Sequence, residues 1–283
     1  DYRPMNYPAM IQLLREKLLA IYSENEQRSL MRIWADDQSL DLYRKLLSEP
    51  EFNLSDQQAS SFKAYVLELS GHKPYQYILG YADFFSLRFE VNPSTLIPRP
   101  ETEELVQWVI ERYQTTKRPL TVLDVGTGSG CIAIALSKHL TTSSILAIDS
   151  SEKAIECAKR NAKNHRVEVA FERIDMRHFI PKVKFDIIVS NPPYIRNLDK
   201  NDMKNNVLAH EPHEALFVPN EDPLIHYKEL ARMARLFLKP MGGIYLEINE
   251  RFSSEVAALF SDFKQVEVRK DLYGKPRMVG AYD

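Results

Sequence analysis

The strongest constraint on the fold is a strand, a glycine-rich loop and a helix that follow one another without a break. Residues 120–125 (LTVLDV) form an apolar run typical of a buried strand, and residues 131–138 have the composition of a buried helix. The loop between them, residues 126–130, reads GTGSG, and glycines let a backbone approach a ligand closely. The G-x-G-x-G spacing differs from the G-x-G-x-x-G of pyrophosphate-binding turns, so it favours a nucleoside whose charged end lies along the loop. The segment therefore predicts an open α/β sheet with a nucleoside-binding turn.

An acid follows the loop at a distance that supports this interpretation. Residues 144–149 have a strand pattern that ends in Asp149, about 20 residues beyond the loop, where an acid can accept ribose hydroxyls. Asp124, on the preceding strand, is also expected to contact the ligand. The residues predicted to bind this ligand are Gly126, Thr127, Gly128, Ser129, Gly130 and Asp149.

A second motif, Asn191-Pro192-Pro193-Tyr194, follows the apolar run of residues 185–190. Two prolines cannot continue a strand ladder, so the motif is predicted to be a rigid loop at the carboxyl end of a strand, where open α/β sheets bind ligands. The Asn191 side-chain oxygen and the Pro192 carbonyl could hold the two hydrogens of a planar NH2 group and aim its lone pair at an electrophile. Pro193 and Tyr194 would shape the slot around that plane. The alternative is an ordinary strand-ending turn, since Asn and Pro are common turn residues.

Together these motifs carry a family resemblance. The pair DVGTGSG and NPPY resembles the class I S-adenosylmethionine-dependent methyltransferases that modify exocyclic or amide nitrogens. Residues 97–103 (IPRPETE) resemble a signature of the HemK/PrmC family, whose members methylate the side-chain amide of a glutamine in peptide chain release factors. Residues 74–80, 211–217 and 271–277 resemble further segments of the same family.

The resemblance implies a fold, a cofactor and several roles. The fold would be a Rossmann-like, seven-stranded, mostly parallel sheet with an N-terminal helical bundle and a β-hairpin connector. The cofactor would be S-adenosyl-L-methionine, with S-adenosyl-L-homocysteine as product and no metal. Asp175 and Met176 would border the adenine, although family members often have an aromatic residue at the second position, and Asn191 would also border the cofactor. Glu101 and Thr102 would brace the cofactor pocket or the catalytic loop; the alternative is that they initiate a helix.

The predicted organisation has three parts. Residues 1–74 are expected to form a helical substrate-recognition domain, residues 75–97 a β-hairpin linker and residues 98–283 the methyltransferase domain. Helices are predicted near residues 10–22, 28–35, 40–47 and 56–70, with Ser55 as the N-cap of the last. Strands are predicted near residues 120–125, 144–149, 167–172, 184–190, 243–248, 264–269 and 277–282. The polar stretch of residues 199–206 is predicted to be a loop.

Composition limits the alternatives. Lys and Arg total 37 against 39 Asp and Glu, so there is no global basic field to attract nucleic acid, which counts against an adenine-N6 methyltransferase acting on DNA or RNA. The two cysteines, Cys131 and Cys157, show no pairing or metal spacing and suit a reducing cytoplasm. The sequence has no apolar stretch of the roughly 20 residues that span a membrane and no signal-peptide core at its start. Residues 210–214 (HEPHE) lack the metalloprotease spacing, and they are expected to form either a solvated loop or, from the resemblance, the border of the acceptor pocket.

Two functions besides glutamine methylation stay open at this point. One is the nucleic-acid methyltransferase, because adenine also presents an aromatic NH2 group once it is flipped out of the helix. The other is a binding module that retains a silent nucleotide fold, which the intact glycine loop and tetrapeptide disfavour. The default expectation for the oligomeric state is a monomer.

Overall fold

The computed structural model describes residues 4–203 and 205–283, so Asp1 at the start of the chain and Lys204 in the predicted loop lie outside the described residues. The helices are α1 (Tyr7–Leu18), α2 (Glu24–Gln38), α3 (Leu42–Ser48), α4 (Asp56–Ser70), α5 (Tyr75–Leu79), α6 (Pro100–Tyr113), α7 (Cys131–His139), α8 (Glu152–His165), α9 (Asn205–His210), α10 (Ile225–Phe237) and α11 (Ser253–Ala258). The strands are β1 (Tyr81–Phe84), β2 (Leu87–Glu90), β3 (Thr121–Val125), β4 (Ser144–Asp149), β5 (Ala170–Arg173), β6 (Phe185–Ser190), β7 (Ile195–Arg196), β8 (Phe217–Val218), β9 (Leu238–Glu247), β10 (Gln265–Lys270) and β11 (Pro276–Tyr282).

The chain divides into two compact units, and the smaller one is helical. It contains α1 to α5 and the later helix α9. The apolar faces of α1, α2 and α4 form its core, in which Trp34 meets the edge of Phe62 at 4.8 Å between ring centroids. Ser55 caps α4 by accepting a hydrogen bond from the amide of Gln58, as the sequence predicted. The four helices predicted from periodicity therefore correspond to α1, α2, α3 and α4.

The larger unit is built on a seven-stranded sheet within the described residues, in the order β10-β11-β9-β6-β3-β4-β5. Strands β9, β6, β3, β4 and β5 are parallel, and β11 runs antiparallel between β9 and β10. Apolar residues of α6 and α7 cover one face of the sheet, and those of α10 and α11 cover the other. The predicted seven-stranded, mostly parallel sheet with helices on both faces is confirmed.

The strand order creates a crevice at the carboxyl end of β3. The chain runs outward from β3 through β4 to β5, and then returns to place β6 on the other side of β3. The segments that leave β3 and β6 therefore diverge at a topological switch point, where open α/β sheets bind their ligands. Hydrogen-bonded pairing of β3 with β6 along the register Val122↔Ile187 to Val125↔Ser190 brings the ends of the two strands together.

Several local predictions differ from the structure. The strand predicted at residues 243–248 is β9, which begins earlier, at Leu238. The hairpin predicted from Tyr75 begins at Tyr81, because Pro74 starts a short helix that the left-handed Gly80 ends. The strand predicted at residues 167–172 is β5, Ala170–Arg173, because α8 continues to His165 and a left-handed Arg166 follows it. The loop predicted at residues 199–206 contains the end of a 3-10 helix, Asn197–Asp202, and the start of α9.

Candidate active site

A cavity of about 800 Å³ lies at the switch point, at the carboxyl ends of β3, β4 and β6. It is bordered by the glycine loop after β3, the acid that ends β4, the turn after β5 and the tetrapeptide after β6. The predicted site residues that line it are Gly126, Gly128, Asp149, Asp175, Met176, Asn191 and Pro193. Residues from two separate sequence motifs, far apart in the chain, therefore border the same space.

The glycine loop presents its backbone to this cavity. Gly126 and Gly128 line the cavity with φ angles of +76° and +55°, a conformation that side chains rarely adopt. The loop is tied to β4, because the amide of Gly126 donates to the carbonyl of Ile148 at 2.9 Å and that of Gly128 donates to Asp149 Oδ2 at 2.9 Å. The loop therefore combines a close backbone approach with a fixed position relative to the acid.

The other three loop residues support the turn and lie outside the set that lines the cavity. The Thr127 hydroxyl donates to Asp124 Oδ2 at 2.6 Å. The Ser129 carbonyl accepts from Asn161 Nδ2 at 2.9 Å. An added Cβ on Gly130 would lie 3.1 Å from the Cβ of Ala158, so a larger residue there would push against α8.

Three carboxyl groups at or near the cavity differ in the direction in which the protein shifts their pKa values. Asp124 is fully buried, and burial raises its pKa to about 7 against the partial compensation of the Thr127 hydroxyl. Burial also raises the pKa of Asp149, although the amides of Ser151 and Gly128 stabilise its charged form. Asp175 behaves in the opposite way, since its hydrogen bonds with Arg177 lower its pKa to about 2. Its charge is already paired, whereas that of Asp149 faces the cavity without an ion-pair partner in the described structure.

The tetrapeptide is split between the cavity and the protein interior. Asn191 and Pro193 border the cavity, and Pro192 is buried between them. Tyr194 is not among the residues that line the cavity: its hydroxyl donates to Glu247 Oε1 at 3.0 Å, and Asn249 Nδ2 donates to its carbonyl at 3.2 Å. The structure thus brings Asn191 and Pro193 next to the glycine loop and places the Tyr194 hydroxyl on a buried carboxylate.

A chain of hydrogen bonds links the tetrapeptide to that carboxylate a second time. Asn191 Nδ2 donates to Thr102 Oγ1 at 3.1 Å, and the Thr102 hydroxyl donates to Glu247 Oε2 at 2.6 Å. Thr102 and Glu247 are both buried. Thr102 was expected to brace this region, whereas sequence reasoning overlooked Glu247. The available signal was an acid at the end of the otherwise apolar strand pattern of residues 243–248.

The segment that follows α9 also borders the cavity. Residues 212–215 line it, which agrees with the pocket-border interpretation of the HEPHE segment. Glu211 anchors the segment, because its buried carboxylate accepts hydrogen bonds from the Arg99 guanidinium and from the Ile97 amide. Two segments of the family resemblance, 97–103 and 211–217, are therefore directly bonded to each other.

Two further observations concern possible metals and membranes. Among the described residues, no group of three or more His, Cys, Asp or Glu side chains is arranged to hold a metal ion. None of the helices in residues 4–203 and 205–283 is long and apolar enough to cross a membrane.

Comparison with known proteins identifies the family. Residues 10–80 match the model of the PrmC N-terminal domain, and residues 105–217 match that of the methyltransferase small domain. The release factor glutamine methyltransferase of Flavobacterium psychrophilum is 41% identical over 93% of this chain and 94% of its own length. That of Streptococcus pneumoniae is 41% identical over 93% of this chain and 97% of its own length.

A solved structure extends the likeness to the fold alone. The crystal structure of a methyltransferase from Pyrococcus furiosus superposes with a TM-score of 0.52 at 18% identity, covering 79% of this chain and 98% of that one. Because the two bacterial relatives are well above 30% identical and match over nearly their whole length, the chain belongs to the family of release factor glutamine methyltransferases.

Proposed function

We propose that this protein transfers a methyl group from S-adenosylmethionine to the side-chain amide nitrogen, N5, of a glutamine in a peptide chain release factor. The observation that carries the proposal is that Asn191 and Pro193 line the same cavity as Gly126, Gly128 and Asp149. A group that can hold an NH2 and a loop that can hold a nucleoside therefore face one space. The names of the relatives supply the substrate class.

The residues on the cofactor side fit S-adenosylmethionine. Gly126 and Gly128 expose bare backbone to the cavity, and a Cβ on either would meet no atom within 4 Å. The Asp149 carboxylate accepts backbone hydrogen bonds from Gly128 and Ser151, and the Ser150 amide also stabilises its charge. Because a carboxylate has about four lone-pair sites, one is left for a ribose hydroxyl. We assign the adenine to the stretch that contains Asp175 and Met176, where Met176 packs against the core. When bound, the cofactor supplies a methyl group already activated by its sulfonium centre.

The tetrapeptide would prepare the acceptor nitrogen. An amide nitrogen is a poor nucleophile because its lone pair is delocalised into the carbonyl. Oxygen acceptors at Asn191 Oδ1 and the Pro192 carbonyl would hold both N–H bonds and so orient the lone pair. Positive charge grows on the nitrogen as it attacks, so both acceptors would bind the transition state more tightly than the ground state. The proton then leaves to solvent, because an N-alkylated, protonated amide is strongly acidic.

The helical unit is assigned to the release factor. We propose that residues 1–74 recognise the protein substrate, residues 75–97 connect, and residues 98–283 carry out the transfer. The match of residues 10–80 to the PrmC N-terminal domain supports a dedicated role for this part of the chain. The monomeric state, the cytoplasmic location and the absence of a nucleic-acid substrate stay predictions from the sequence.

The proposal is tested by supplying labelled S-adenosylmethionine with a release factor or with plasmid DNA. Label is expected in the release factor and is expected to disappear when its acceptor glutamine is replaced by glutamate. Asn191→Ala is expected to slow transfer by roughly 100-fold, the scale for a lost transition-state hydrogen bond, while cofactor binding measured by equilibrium dialysis stays near the wild-type value. Asn164→Ala, which changes an exposed asparagine of α8, is the matched control. Label in DNA, or near-normal turnover by the Asn191 variant, would contradict the assignment.

A further inference from the structure

The Asn191 side chain has two unlike ends, and one of them suits the proposed acceptor. An asparagine amide presents either an oxygen, which accepts hydrogen bonds, or an NH2 group, which donates them. The acceptor glutamine nitrogen carries hydrogens, so it needs the oxygen. If the Asn191 amide were rotated by about 180°, its NH2 would face the NH2 of the substrate and could not hold it. The proposed activity therefore depends on what fixes the orientation of this amide.

Thr102 can fix the orientation of the Asn191 amide because its hydroxyl has a single hydrogen to donate. Thr102 Oγ1 lies 2.6 Å from Glu247 Oε2, a short separation typical of a hydroxyl that donates to a carboxylate. Once its hydrogen is committed to Glu247, the hydroxyl can interact with Asn191 as an acceptor. Asn191 must then point Nδ2 at Thr102, as its 3.1 Å hydrogen bond requires, and Oδ1 elsewhere. The reverse orientation would set two oxygens against each other with no hydrogen between them.

Glu247 can play this part because both of its oxygens are acceptors. Thr102 donates to Oε2 and the Tyr194 hydroxyl donates to Oε1, while the Tyr227 hydroxyl donates to the backbone carbonyl of the same residue at 3.1 Å. Burial raises the pKa of Glu247, but the two side-chain hydrogen bonds and the charge of Arg277 favour the ionised form. The charge of Glu101 acts in the opposite sense. One buried carboxylate is thus bonded directly to Tyr194 and, through Thr102, linked to Asn191 at the other end of the tetrapeptide.

We propose that Glu247 and Thr102 are positioning residues for methyl transfer, which hold the Asn191 amide with its oxygen toward the acceptor nitrogen. The inference rests on the proposed function, because it assumes that the substrate presents an NH2 group. Glu247 touches neither substrate nor cofactor in this scheme. It acts through Thr102 on Asn191 and directly on Tyr194.

The test is a double-mutant cycle on the rate of transfer in a single turnover at saturating S-adenosylmethionine. Thr102→Val replaces the hydroxyl by a methyl of similar size and is expected to lower the rate by roughly 10- to 100-fold, with cofactor affinity retained. Thr102→Ser returns the hydroxyl and is expected to restore most of the rate. In an Asn191→Ala background, Thr102→Val is expected to cost less than about 2-fold, because the residue through which it acts is gone.

Thr121→Val is the matched control. Thr121 also donates its hydroxyl to a buried carboxylate, Asp186 Oδ2 at 2.9 Å, but it lies at the amino end of β3, away from the cavity. Its rate is expected to stay within about 2-fold of the wild type, since it removes the same kind of bond without touching the tetrapeptide. A wild-type rate in Thr102→Val, or the same loss with and without Asn191, would overturn the proposal.

A second readout needs no catalysis. The side-chain NH2 signal of Asn191 in a nitrogen-15 NMR spectrum, assigned by its absence in Asn191→Ala, is expected to shift and to exchange faster with solvent in Thr102→Val but not in Thr102→Ser. An unchanged signal in Thr102→Val overturns the proposal. If the wild-type protein fails to methylate a release factor, the proposed function fails, while this spectrum still decides whether Thr102 orients the amide.

Discussion

The buried carboxyl of Asp124 provides a prediction whose size follows from its surroundings. It lies within β3, fully buried beneath the glycine loop, and burial raises its pKa from 3.8 to about 7. Each pH unit of difference between folded and unfolded pKa corresponds to about 1.4 kcal/mol, so the whole shift corresponds to about 4 kcal/mol. Asp124→Asn keeps the shape and an oxygen for the Thr127 hydroxyl, but it cannot ionise.

The sign follows from the direction of the shift. A raised pKa means that the folded protein holds the proton more tightly than the unfolded chain does. The stabilisation is therefore complete below pH 3.8 and is lost as the pH rises through about 7. The asparagine variant has no such loss. Between pH 5 and pH 8 the free energy of unfolding of Asp124→Asn should rise relative to the wild type by about 3 kcal/mol.

The assay is urea unfolding of both proteins at several pH values from 5 to 8, with the midpoints and slopes compared at each. Asp186→Asn is the contrasting control, because hydrogen bonds from Arg118 and Lys239 outweigh burial and lower the pKa of Asp186. Because the pKa of Asp186 is lowered from 3.8, this group is charged in both the folded and the unfolded protein from pH 5 to pH 8. Asp186→Asn should therefore be less stable than the wild type by a constant amount across the range. A constant difference between Asp124→Asn and the wild type would refute the reasoning.

Three further outcomes are expected. Gly280→Ala should lower the free energy of unfolding by about 1–3 kcal/mol, because an added Cβ would lie 2.6 Å from the ring of Trp108; an unchanged urea midpoint would show that the ring can move aside. Asp149→Asn should weaken S-adenosylmethionine binding by roughly 10-fold or more in calorimetry, since one acceptor for the Gly128 and ribose donors is lost, and unaltered affinity would remove the ribose assignment. Tyr194→Phe keeps the ring but removes the donor to the buried carboxylate, so transfer should fall by roughly 10-fold with cofactor affinity retained, and full activity would argue against a role for the hydroxyl.

Much of the fold follows from short stretches of sequence. Alternation of apolar strands with helices predicts a parallel sheet, because each crossover helix must cover a face of it. The carboxyl ends of parallel strands share an edge, so the glycine loop and the tetrapeptide, which each follow a strand, are expected at the same edge of the sheet. Their closeness depends on the strand order, which places β6 beside β3. The Ser55 cap is predictable because it depends only on residues within one helical turn.

Local patterns failed where one turn residue outweighed periodicity. Residues 75–79 are as apolar and aromatic as a strand, yet Pro74 and the left-handed Gly80 enclose a helix there. Residues 199–206 are polar without periodicity, and parts of them are nonetheless helical. Short elements such as these owe little to propensity and much to what packs around them.

Only the tertiary structure decided which side chains meet at the site. Thr102 and Glu247 are 145 positions apart, and the sequence near either residue does not indicate that the two form a hydrogen bond. Their hydrogen bond exists because β9 lies beside β6 in the sheet and α6 packs on β9. The raised pKa of Asp124 has a similar origin, because it depends on how completely other segments exclude water from one carboxyl group. Residue types and their spacing can thus indicate the chemistry of a site. The orientation of an amide and the charge of a buried acid depend instead on distances that are set only when the chain folds.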